Sequence, residues 1–355
     1  MSSNNPKILL VKLSSLGDVL HNLPLVWDLR AKLPEAQIDW IVEEGYVGLL
    51  EPLRSREGFR GIDRIIPIAF RRWKHSLGYE SLQEFLAAKK QLRQCTYDVV
   101  IETQGLLKSA LVCTLAKKSP KAIVAGLDNA TEYSGYEPLA RSFYNHCVQV
   151  PKRSHAVDRS RVVMSSALGW PLIHRTVNPP RFYPEEFTSQ LGMTEASVQK
   201  NRFQLPYILC FHSTARAAKL WSLDHWAVLG RALSAKGYQL VFPWGNASEK
   251  KRSEELALQI AGALVPDAFS IQEAFSIIAG ASLTIGVDTG LTHLAAVLGR
   301  PTVEIYCDSP KWKTEGYWSE RIRNLGDRQE PPDSQEVLDA ALTVLDQARL
   351  NAAGN

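Results

Sequence analysis

In the segment Lys7–Asp18, KILLVKLSSLGD, a short apolar run ends in a polar turn that contains a glycine, and this pattern indicates the fold class. Strands buried in parallel sheets have continuous apolar runs of this kind. Gly17 permits a tight turn after the run, and Asp18 opens a helical segment. The pattern predicts a β-strand over Lys7–Leu13 that is followed at once by a helix.

The same alternation of apolar runs and helical segments continues along the chain. Further strands are predicted at Ile38–Glu43, Ile65–Ile68, Tyr97–Ile101, Ala122–Ala125, Pro206–Phe211, Tyr238–Phe242, Leu283–Val287 and Thr302–Tyr306. Helices are predicted at Ser81–Cys95, Leu106–Lys117, Leu223–Lys236, Ser248–Gly262, Ile271–Ala279, Leu291–Leu298 and Ser334–Leu350. Strands that alternate with helices predict an α/β fold whose parallel sheets are covered on both faces.

A proline-rich interruption divides the chain into two α/β halves. Residues 169–201 break the rhythm of strands and helices with Pro171, Pro179, Pro180 and Pro184. We predict three parts: an N-terminal domain at 1–175, a second domain at 176–330 that begins with a linker at 176–201, and a C-terminal helix within 331–355. Two doubly wound domains that face each other across a central cleft are the simplest architecture, with function in the loops after the strands.

Composition excludes several classes of protein. The 355 residues are 45% hydrophobic and 22% charged, as in ordinary globular proteins, and apolar runs such as Ile8–Val11 are far too short for a membrane span. The N-terminus has no apolar core, so we expect no secretory signal. The five cysteines are scattered and form no C-x-x-C pair, which indicates thiols in a reducing compartment.

Positive charge is concentrated in the first half. Residues 1–175 carry 24 Lys and Arg against 17 Asp and Glu, whereas the remainder carries 17 against 20. Basic clusters of this kind attract anionic partners, so nucleic acid and a phosphorylated membrane surface are both candidates. A solvated face is the simpler interpretation of any single cluster. We expect no nucleic acid partner, because no nucleic-acid-binding module is recognisable.

Several common cofactor and catalytic motifs are absent from the sequence. No G-x-G-x-x-G follows the first strand, and neither a P-loop nor a G-x-S-x-G nucleophile elbow occurs. The eight histidines have no metal-ligand spacing, and no Asp-x-Asp pair is present to hold a divalent metal. We therefore expect neither a cofactor nor a bound metal.

The loop after the first strand supplies a candidate base. Asp18 can act simply as a helix cap, or its carboxylate can face the cleft and accept a proton. Pro24 lies inside the helical pattern that follows, so it either kinks that helix or begins a new one after Asn22.

Three loops of the second half supply candidate nucleotide contacts. The segment His212–Lys219 combines hydroxyls with two cations before a helix that Ser222 can cap, which suits either a pyrophosphate site or an ordinary polar loop. Glu249, in the next loop, either matches the helix dipole or accepts ribose hydroxyls. Asp288–His293 places a glycine and two hydroxyls at a helix start and is the most phosphate-like loop, although His293 can equally be a packed helix residue.

At these loops the chain resembles the family 9 glycosyltransferases. The run KLSSLGDVLHNLP at 12–24 is similar to the opening motif of that family, and VDTGLTHL at 287–294 is similar to its nucleotide-side motif. Four shorter runs more narrowly resemble the heptosyltransferase I branch: WIVEEGY at 40–46, FRRW at 70–73, ETQGLLKS at 102–109 and FPWG at 242–245. The likeness extends from about Lys7 to Tyr306.

The resemblance implies a GT-B fold, with the C-terminal helix crossing back to the first domain, and an inverting, metal-independent transfer. The implied donor is ADP-L-glycero-β-D-manno-heptose. The implied acceptor is Kdo-lipid A, reached by a cytoplasmic protein that attaches peripherally to the inner face of the inner membrane. The alternatives are a heptosyltransferase II-like core transferase with another acceptor and a non-catalytic nucleotide-sugar-binding protein.

The resemblance also implies roles for individual residues. It assigns the general base to Asp18. It assigns nucleotide-sugar contacts to Thr214, Arg216, Lys219, Glu249, Asp288, Thr289, Gly290 and His293. It assigns acceptor contacts to Gly17, Arg71, Arg72, Lys74, Gln104 and Lys108. Two positions depart from the family pattern: Ala215 replaces a common second hydroxyl after Thr214, and Tyr136 stands where an arginine often precedes the EPLA segment.

Overall fold

Each half of the chain builds one parallel β-sheet. The computed structural model describes residues 5–75, 78–174, 179–192, 203–204 and 206–353. The chain divides into two units, Met1–Pro184 and Glu185–Asn355. The division falls within the predicted linker at 176–201, part of which lies outside the described residues.

The first unit contains a six-stranded sheet. Its strands are β1 Lys7–Val11, β2 Gln37–Glu43, β3 Arg64–Ile68, β4 Tyr97–Glu102, β5 Lys118–Leu127 and β6 His146–Val148. All neighbours pair in parallel, in the order β3-β2-β1-β4-β5-β6, which is the doubly wound order of a Rossmann-like domain. Only β6 was not predicted, because three residues at a sheet edge are too few for a periodic signal.

Seven helices cover this sheet in the described residues. They are α1 Leu16–Leu20, α2 Pro24–Lys32, α3 Val47–Leu50, α4 Phe70–His75, α5 Tyr79–Leu92, α6 Leu107–Leu115 and α7 Ala156–Leu168. Pro24 is the first residue of α2, so it begins a new helix and does not kink α1.

Helix α7 was not predicted from the sequence. Most of its residues are buried, including the charged Arg159 and Arg161, so no polar stripe alternates with an apolar one. Arg161 donates to both carboxylate oxygens of Asp28, at 2.8 and 3.0 Å, and this ion pair joins α7 to α2. The pairing compensates the cost of burying the guanidinium. It also fixes the rotation of α7 against α2, and the position of Arg159 on another face of α7 follows from that rotation.

The second unit contains a five-stranded sheet. Its strands are β7 Tyr207–Phe211, β8 Gln239–Val241, β9 Leu283–Val287, β10 Thr302–Tyr306 and β11 Ile322–Gly326, paired in parallel in the order β11-β10-β9-β7-β8. The described helices are α8 Glu185–Gln190, α9 Leu223–Ser234, α10 Ala247–Ala257, α11 Ile271–Gly280, α12 Gly290–Val297 and α13 Ser334–Ala353. Strand β11 was not predicted, since polar residues at this half-exposed edge interrupt the apolar run.

The C-terminal helix α13 packs on the second unit. Its Val337, Ala341, Val344 and Leu345 are buried in the same core as residues of α9, β9 and β10. The apolar stripe of α13 therefore completes the core of the second sheet. That the helix also crosses back to the first domain stays a prediction.

Local packing brings α12 close to the end of β9. A Cβ atom at Gly286 would collide with the hydroxyl of Thr292 and the side chain of Phe211. The Thr292 hydroxyl donates to the carbonyl of Val287 at 2.9 Å, which holds the first turn of α12 against the strand. The loop between them, with Asp288 and Thr289, is thereby held at the carboxyl edge of the sheet.

No helix among the described residues is both long and apolar enough to span a membrane.

Candidate active site

The carboxylate of Asp18 lies in the first turn of α1, directly after the carboxyl end of β1. Its Oδ2 atom accepts hydrogen bonds from the backbone N–H and the hydroxyl of Ser15, at 3.1 and 2.9 Å. Ser15 is the N-cap of α1, so Asp18 supports the helix start without being the cap itself. The side chain of Asp18 remains 42% exposed, which leaves the carboxylate accessible.

Two buried cations lie behind this carboxylate. Lys12 Nζ is 3.6 Å from Oδ1 of Asp18, and an Arg159 guanidinium nitrogen is 3.9 Å from the same atom. The side chains of Lys12 and Arg159 are only 2% and 6% exposed. These distances are too long for hydrogen bonds, so the two cations act on Oδ1 through their charge and leave it able to accept a proton.

The electrostatic environment keeps Asp18 ionised. Burial would raise the pKa of Asp18, but Lys12, Arg159 and the Ser15 hydrogen bonds outweigh it and hold the pKa well below its usual range. Burial lowers the pKa of Lys12 to about 8, against the opposing effect of Asp18. At neutral pH the carboxylate is therefore a fixed anion that can receive a proton.

Lys12 and Arg159 were not identified from the sequence as site residues. Lys12 is the single charge inside the apolar run ILLVKL, and a charge in a buried strand is a signal that could have been used. Arg159 gave no such signal, because its helix was not predicted and its position opposite Asp18 depends on the packing of α7.

Three of the predicted acceptor residues lie at the same edge of the first sheet. Gly17 precedes Asp18 in α1. The Gln104 side-chain carbonyl accepts from the backbone N–H of Leu13 at 3.0 Å, and Lys108 Nζ donates to the Ser14 hydroxyl at 3.1 Å. The loop after β4 is thus joined to the loop after β1, as expected for neighbouring parallel strands.

The predicted acceptor residues of α4 are in different environments. Arg72 donates to both carboxylate oxygens of Glu44 at 3.0 Å and to Glu84 at 3.0 Å, so its guanidinium is already engaged by two anions. The Arg71 guanidinium lies over the ring of Tyr46, 5.4 Å from its centre. Lys74 is exposed. Arg71 and Lys74 are consequently more available to an anionic ligand than Arg72.

In the second unit, four charged side chains of alternating sign form a chain behind the predicted phosphate loop. Lys219 Nζ is 2.5 Å from Oδ2 of Asp288, and His293 Nε2 is 2.9 Å from Oδ1 of Asp288. His293 Nδ1 hydrogen-bonds to Glu304 at 2.9 Å. Glu304, in β10, is fully buried, and the sequence interpretation did not select it although it is the one charge in the run TVEIY.

The two carboxylates make His293 a cation. Burial would lower the pKa of His293, but Glu304 and Asp288 raise it to about 10. Burial likewise opposes ionisation of Asp288, yet His293 and Lys219 hold the pKa of that carboxyl well below its usual range. Both ring nitrogens of His293 are hydrogen-bonded, so the ring holds Asp288 in position. A direct contact between His293 and the nucleotide sugar stays a prediction.

The ion pairs of His293 predict a pH-dependent contribution to stability. The pKa of His293 is raised from 6.5 to about 10, so protonated His293 stabilises the folded state fully below pH 6.5, and this contribution is lost as pH rises towards 10. Urea unfolding of the natural protein and of His293→Gln should give free energies that differ most at pH 6.5 and converge towards pH 10. A difference that stays constant across this range would contradict a charged His293.

The start of α12 combines features that suit an anion. Thr289 is the N-cap, and its side chain makes no capping hydrogen bond. Gly290 is the first helical residue, so the N–H groups of this turn have no partners within the helix. Thr214, from the loop after β7, donates its hydroxyl to the carbonyl of Asp288 at 3.3 Å. Two loops that the sequence assigned separately to the donor therefore meet here.

A cavity of about 300 Å³ adjoins the same loops in the second unit. It is lined by Ser213, Thr214, Leu220, Ser248, Glu249, Lys251, Arg252 and Glu255. Glu249 accepts from the backbone N–H of Gly245 at 2.7 Å, which orients its carboxylate in the first turn of α10. Arg216 is exposed nearby in sequence, at the start of a 3₁₀ turn. The volume is at the lower end of small-molecule sites.

Within the described ranges, no group of three or more His, Cys, Asp or Glu side chains is placed to hold a metal ion.

Known proteins resemble the chain over most of its length. The model of glycosyltransferase family 9 (heptosyltransferase) matches residues 85–341. Lipopolysaccharide heptosyltransferase 1 of Pseudomonas aeruginosa is 35% identical over 302 residues, which are 84% of this chain and 78% of the relative. Lipopolysaccharide heptosyltransferase 2 of Escherichia coli is 25% identical over 319 residues, which are 84% of this chain and 82% of that one.

Two solved structures of the E. coli heptosyltransferase WaaC have the same fold. One was solved with ADP and the other with ADP-2-deoxy-2-fluoro heptose. Their TM-scores to this chain are 0.77 and 0.72, at 29% and 28% identity. The matches cover 95% and 96% of this chain and 99% of each of those chains.

Proposed function

The chain belongs to glycosyltransferase family 9, and from this we propose that it transfers L-glycero-D-manno-heptose from ADP-heptose to a Kdo hydroxyl of Kdo-lipid A in lipopolysaccharide core synthesis. The transfer inverts the anomeric centre and needs no metal. The observation that carries the catalytic part of the proposal is the accessible Asp18 carboxylate, ionised by two buried cations at the end of β1.

In the proposed reaction, the Kdo hydroxyl oxygen attacks the anomeric carbon of the heptose in a single in-line displacement. The bond from that carbon to the diphosphate oxygen breaks, and ADP leaves with the electron pair. The hydroxyl proton passes to Asp18. A carboxylate of low pKa is a weak base towards an alcohol, so the proton transfers late, when the attacking oxygen has become acidic.

The leaving ADP carries growing negative charge that the second unit can stabilise. The residues that we assign to this task are Lys219, Arg216, and the backbone N–H groups at the start of α12. We assign Thr214 and Asp288 to positioning the diphosphate, and Glu249, at the cavity, to the ribose hydroxyls. WaaC was solved with ADP and with ADP-2-deoxy-2-fluoro heptose, which supports an ADP-sugar as the donor class.

The acceptor side of the proposal relies on the positive charge of the first unit. Kdo-lipid A carries phosphates and carboxylates and sits at a membrane surface. Arg71, Lys74 and Lys108 offer cations on the unit that also holds Asp18. We propose that the protein works in the cytoplasm, attached peripherally to the inner face of the inner membrane.

Sequence identity to the relatives favours a Kdo-terminated acceptor over one that already carries a heptose. The chain is 35% identical to lipopolysaccharide heptosyltransferase 1 of P. aeruginosa, the type 1 enzyme, and 25% identical to lipopolysaccharide heptosyltransferase 2 of E. coli, the type 2 enzyme. A heptosyltransferase II-like activity would instead require an acceptor that already carries a heptose. A non-catalytic nucleotide-sugar-binding protein would have no use for an ionised carboxylate backed by two buried cations.

One assay tests the proposal. Purified protein is incubated with ADP-heptose and EDTA in three separate reactions. The acceptor in each is lipid A that carries one Kdo, two Kdo units, or Kdo and a heptose. The lipid products are then analysed by mass spectrometry. We expect one heptose to be added to a Kdo-terminated acceptor. Transfer only to the heptose-bearing lipid would identify a type 2 activity, and no transfer to any of the three would refute the proposal.

A further inference from the structure

Helix α5 carries an exposed apolar stripe on the first unit. Tyr79, Leu82 and Leu86 are 76%, 54% and 50% exposed. Their spacing of three and four residues places them on one face of the helix. The opposite face is buried, with Ala88 and Leu92 in the core of the first sheet. About half of each leucine side chain therefore remains outside the packing of this unit.

Cations continue the same stripe at the end of α5. Lys90 and Arg93 follow Leu86 at helical spacing, and Lys89 lies beside them in the last turn. The glutamates of the helix are on other faces, and Glu84 is engaged by Arg72 and by the indole N–H of Trp73. An apolar segment is thus followed by a positive one on a single surface.

Helix α6 extends this surface. Arg93 donates to the carbonyl of Leu115 at 3.3 Å, so the ends of α5 and α6 adjoin. Leu111, on α6, is 48% exposed, and Lys117 and Lys121 are exposed just beyond the helix. We name this region, comprising Tyr79, Leu82, Leu86, Lys89, Lys90 and Leu111, the α5–α6 surface.

We propose that the α5–α6 surface docks on an anionic lipid bilayer. The leucines and Tyr79 enter the interface between headgroups and acyl chains, while the lysines meet lipid phosphates. The inference builds on the proposed function, whose acceptor is anchored in a membrane. The positive charge of this surface favours an anionic lipid as its partner over a second copy of the chain. In a symmetric dimer the lysines of the two copies would face each other and repel.

Sedimentation with lipid vesicles tests this surface directly, without either substrate. The vesicles contain phosphatidylcholine alone or with about a third phosphatidylglycerol. We expect the natural protein to bind the anionic vesicles and to lose binding as salt rises. Leu82→Ser/Leu86→Ser should weaken binding by about tenfold or more, and Lys89→Gln/Lys90→Gln by a similar factor.

Matched exposed positions on the second unit provide the controls. Leu258 is 89% exposed on that unit, and Lys236 is exposed there too, so Leu258→Ser and Lys236→Gln should bind vesicles as the natural protein does. Circular dichroism checks that each variant is folded.

Three results would overturn the proposal. These are unchanged vesicle binding in both double variants, an equal loss in the controls, and a dimer that Leu82→Ser/Leu86→Ser dissociates without an effect on vesicle binding. The vesicle assay contains no substrate, so its result does not depend on whether the protein transfers heptose. Likewise, a loss of vesicle binding would not contradict the transfer assay.

Discussion

Asp18→Asn is expected to lower the turnover of heptose transfer by roughly 10²–10⁴-fold, the range for a lost general base. The amide has nearly the shape of the carboxylate, and its oxygen can still accept the Ser15 hydrogen bonds, but it cannot take a proton from the acceptor hydroxyl. Affinity for ADP-heptose should stay close to that of the natural protein, because the assigned donor contacts lie on the second unit. Turnover at saturating substrates and calorimetric binding of ADP measure the two effects.

A matched control shows whether the effect is specific to Asp18 or follows from the loss of any carboxylate in the first turn of a helix. Asp224 is an exposed carboxylate in the first turn of α9, so Asp224→Asn should leave turnover near normal. Thermal unfolding of Asp18→Asn belongs with the assay, because the substitution leaves Lys12 and Arg159 without their anion. A folded Asp18→Asn protein with near-normal turnover would remove Asp18 from the role.

Lys219→Ala is expected to lower kcat/KM for ADP-heptose by roughly 10²–10³-fold, as for the loss of one preorganised donor to a developing anion. Lys219 Nζ is 2.5 Å from Asp288 and retains some exposure, so a diphosphate can share the ammonium group. Without the lysine, the Asp288 carboxylate loses one of its two cations and repels the diphosphate more strongly. Kinetics with varied ADP-heptose and calorimetry with ADP measure the loss.

Two further variants show whether charge at this position is what matters. Lys219→Arg keeps the cation and should recover part of kcat/KM, whereas the remote Lys236→Ala should behave as the natural protein does. The KM for the acceptor should change little in Lys219→Ala, because the assigned acceptor residues lie on the first unit. Unchanged kcat/KM for the donor in Lys219→Ala would refute the assignment to the diphosphate.

Local pattern accounts for most of the fold. Continuous apolar runs such as Leu283–Val287 and Thr302–Tyr306 appear as strands with the predicted bounds. Ser222 caps α9 as predicted, with its hydroxyl accepting from the N–H of His225 at 3.1 Å. These features depend on neighbours a few residues apart, so a sequence pattern can report them.

Long-range packing decides features of α7 and α13 that a local pattern does not report. Helix α7 has no polar stripe, since its arginines are buried with partners elsewhere in the chain. The buried face of α13 belongs to the second unit because its apolar stripe fits the core there, and an amphipathic pattern does not say which core it covers.

The α/β class, the two halves and the loops that carry Asp18, Thr214, Glu249 and Asp288 follow from local sequence patterns. Which charged side chains surround them depends on the packing of the fold, which places Arg159 near Asp18 and Glu304 next to His293. The difference arises from how charges interact. An electrostatic interaction depends on separation in space and on burial, and for residues far apart in the chain both are set by how helices and strands pack.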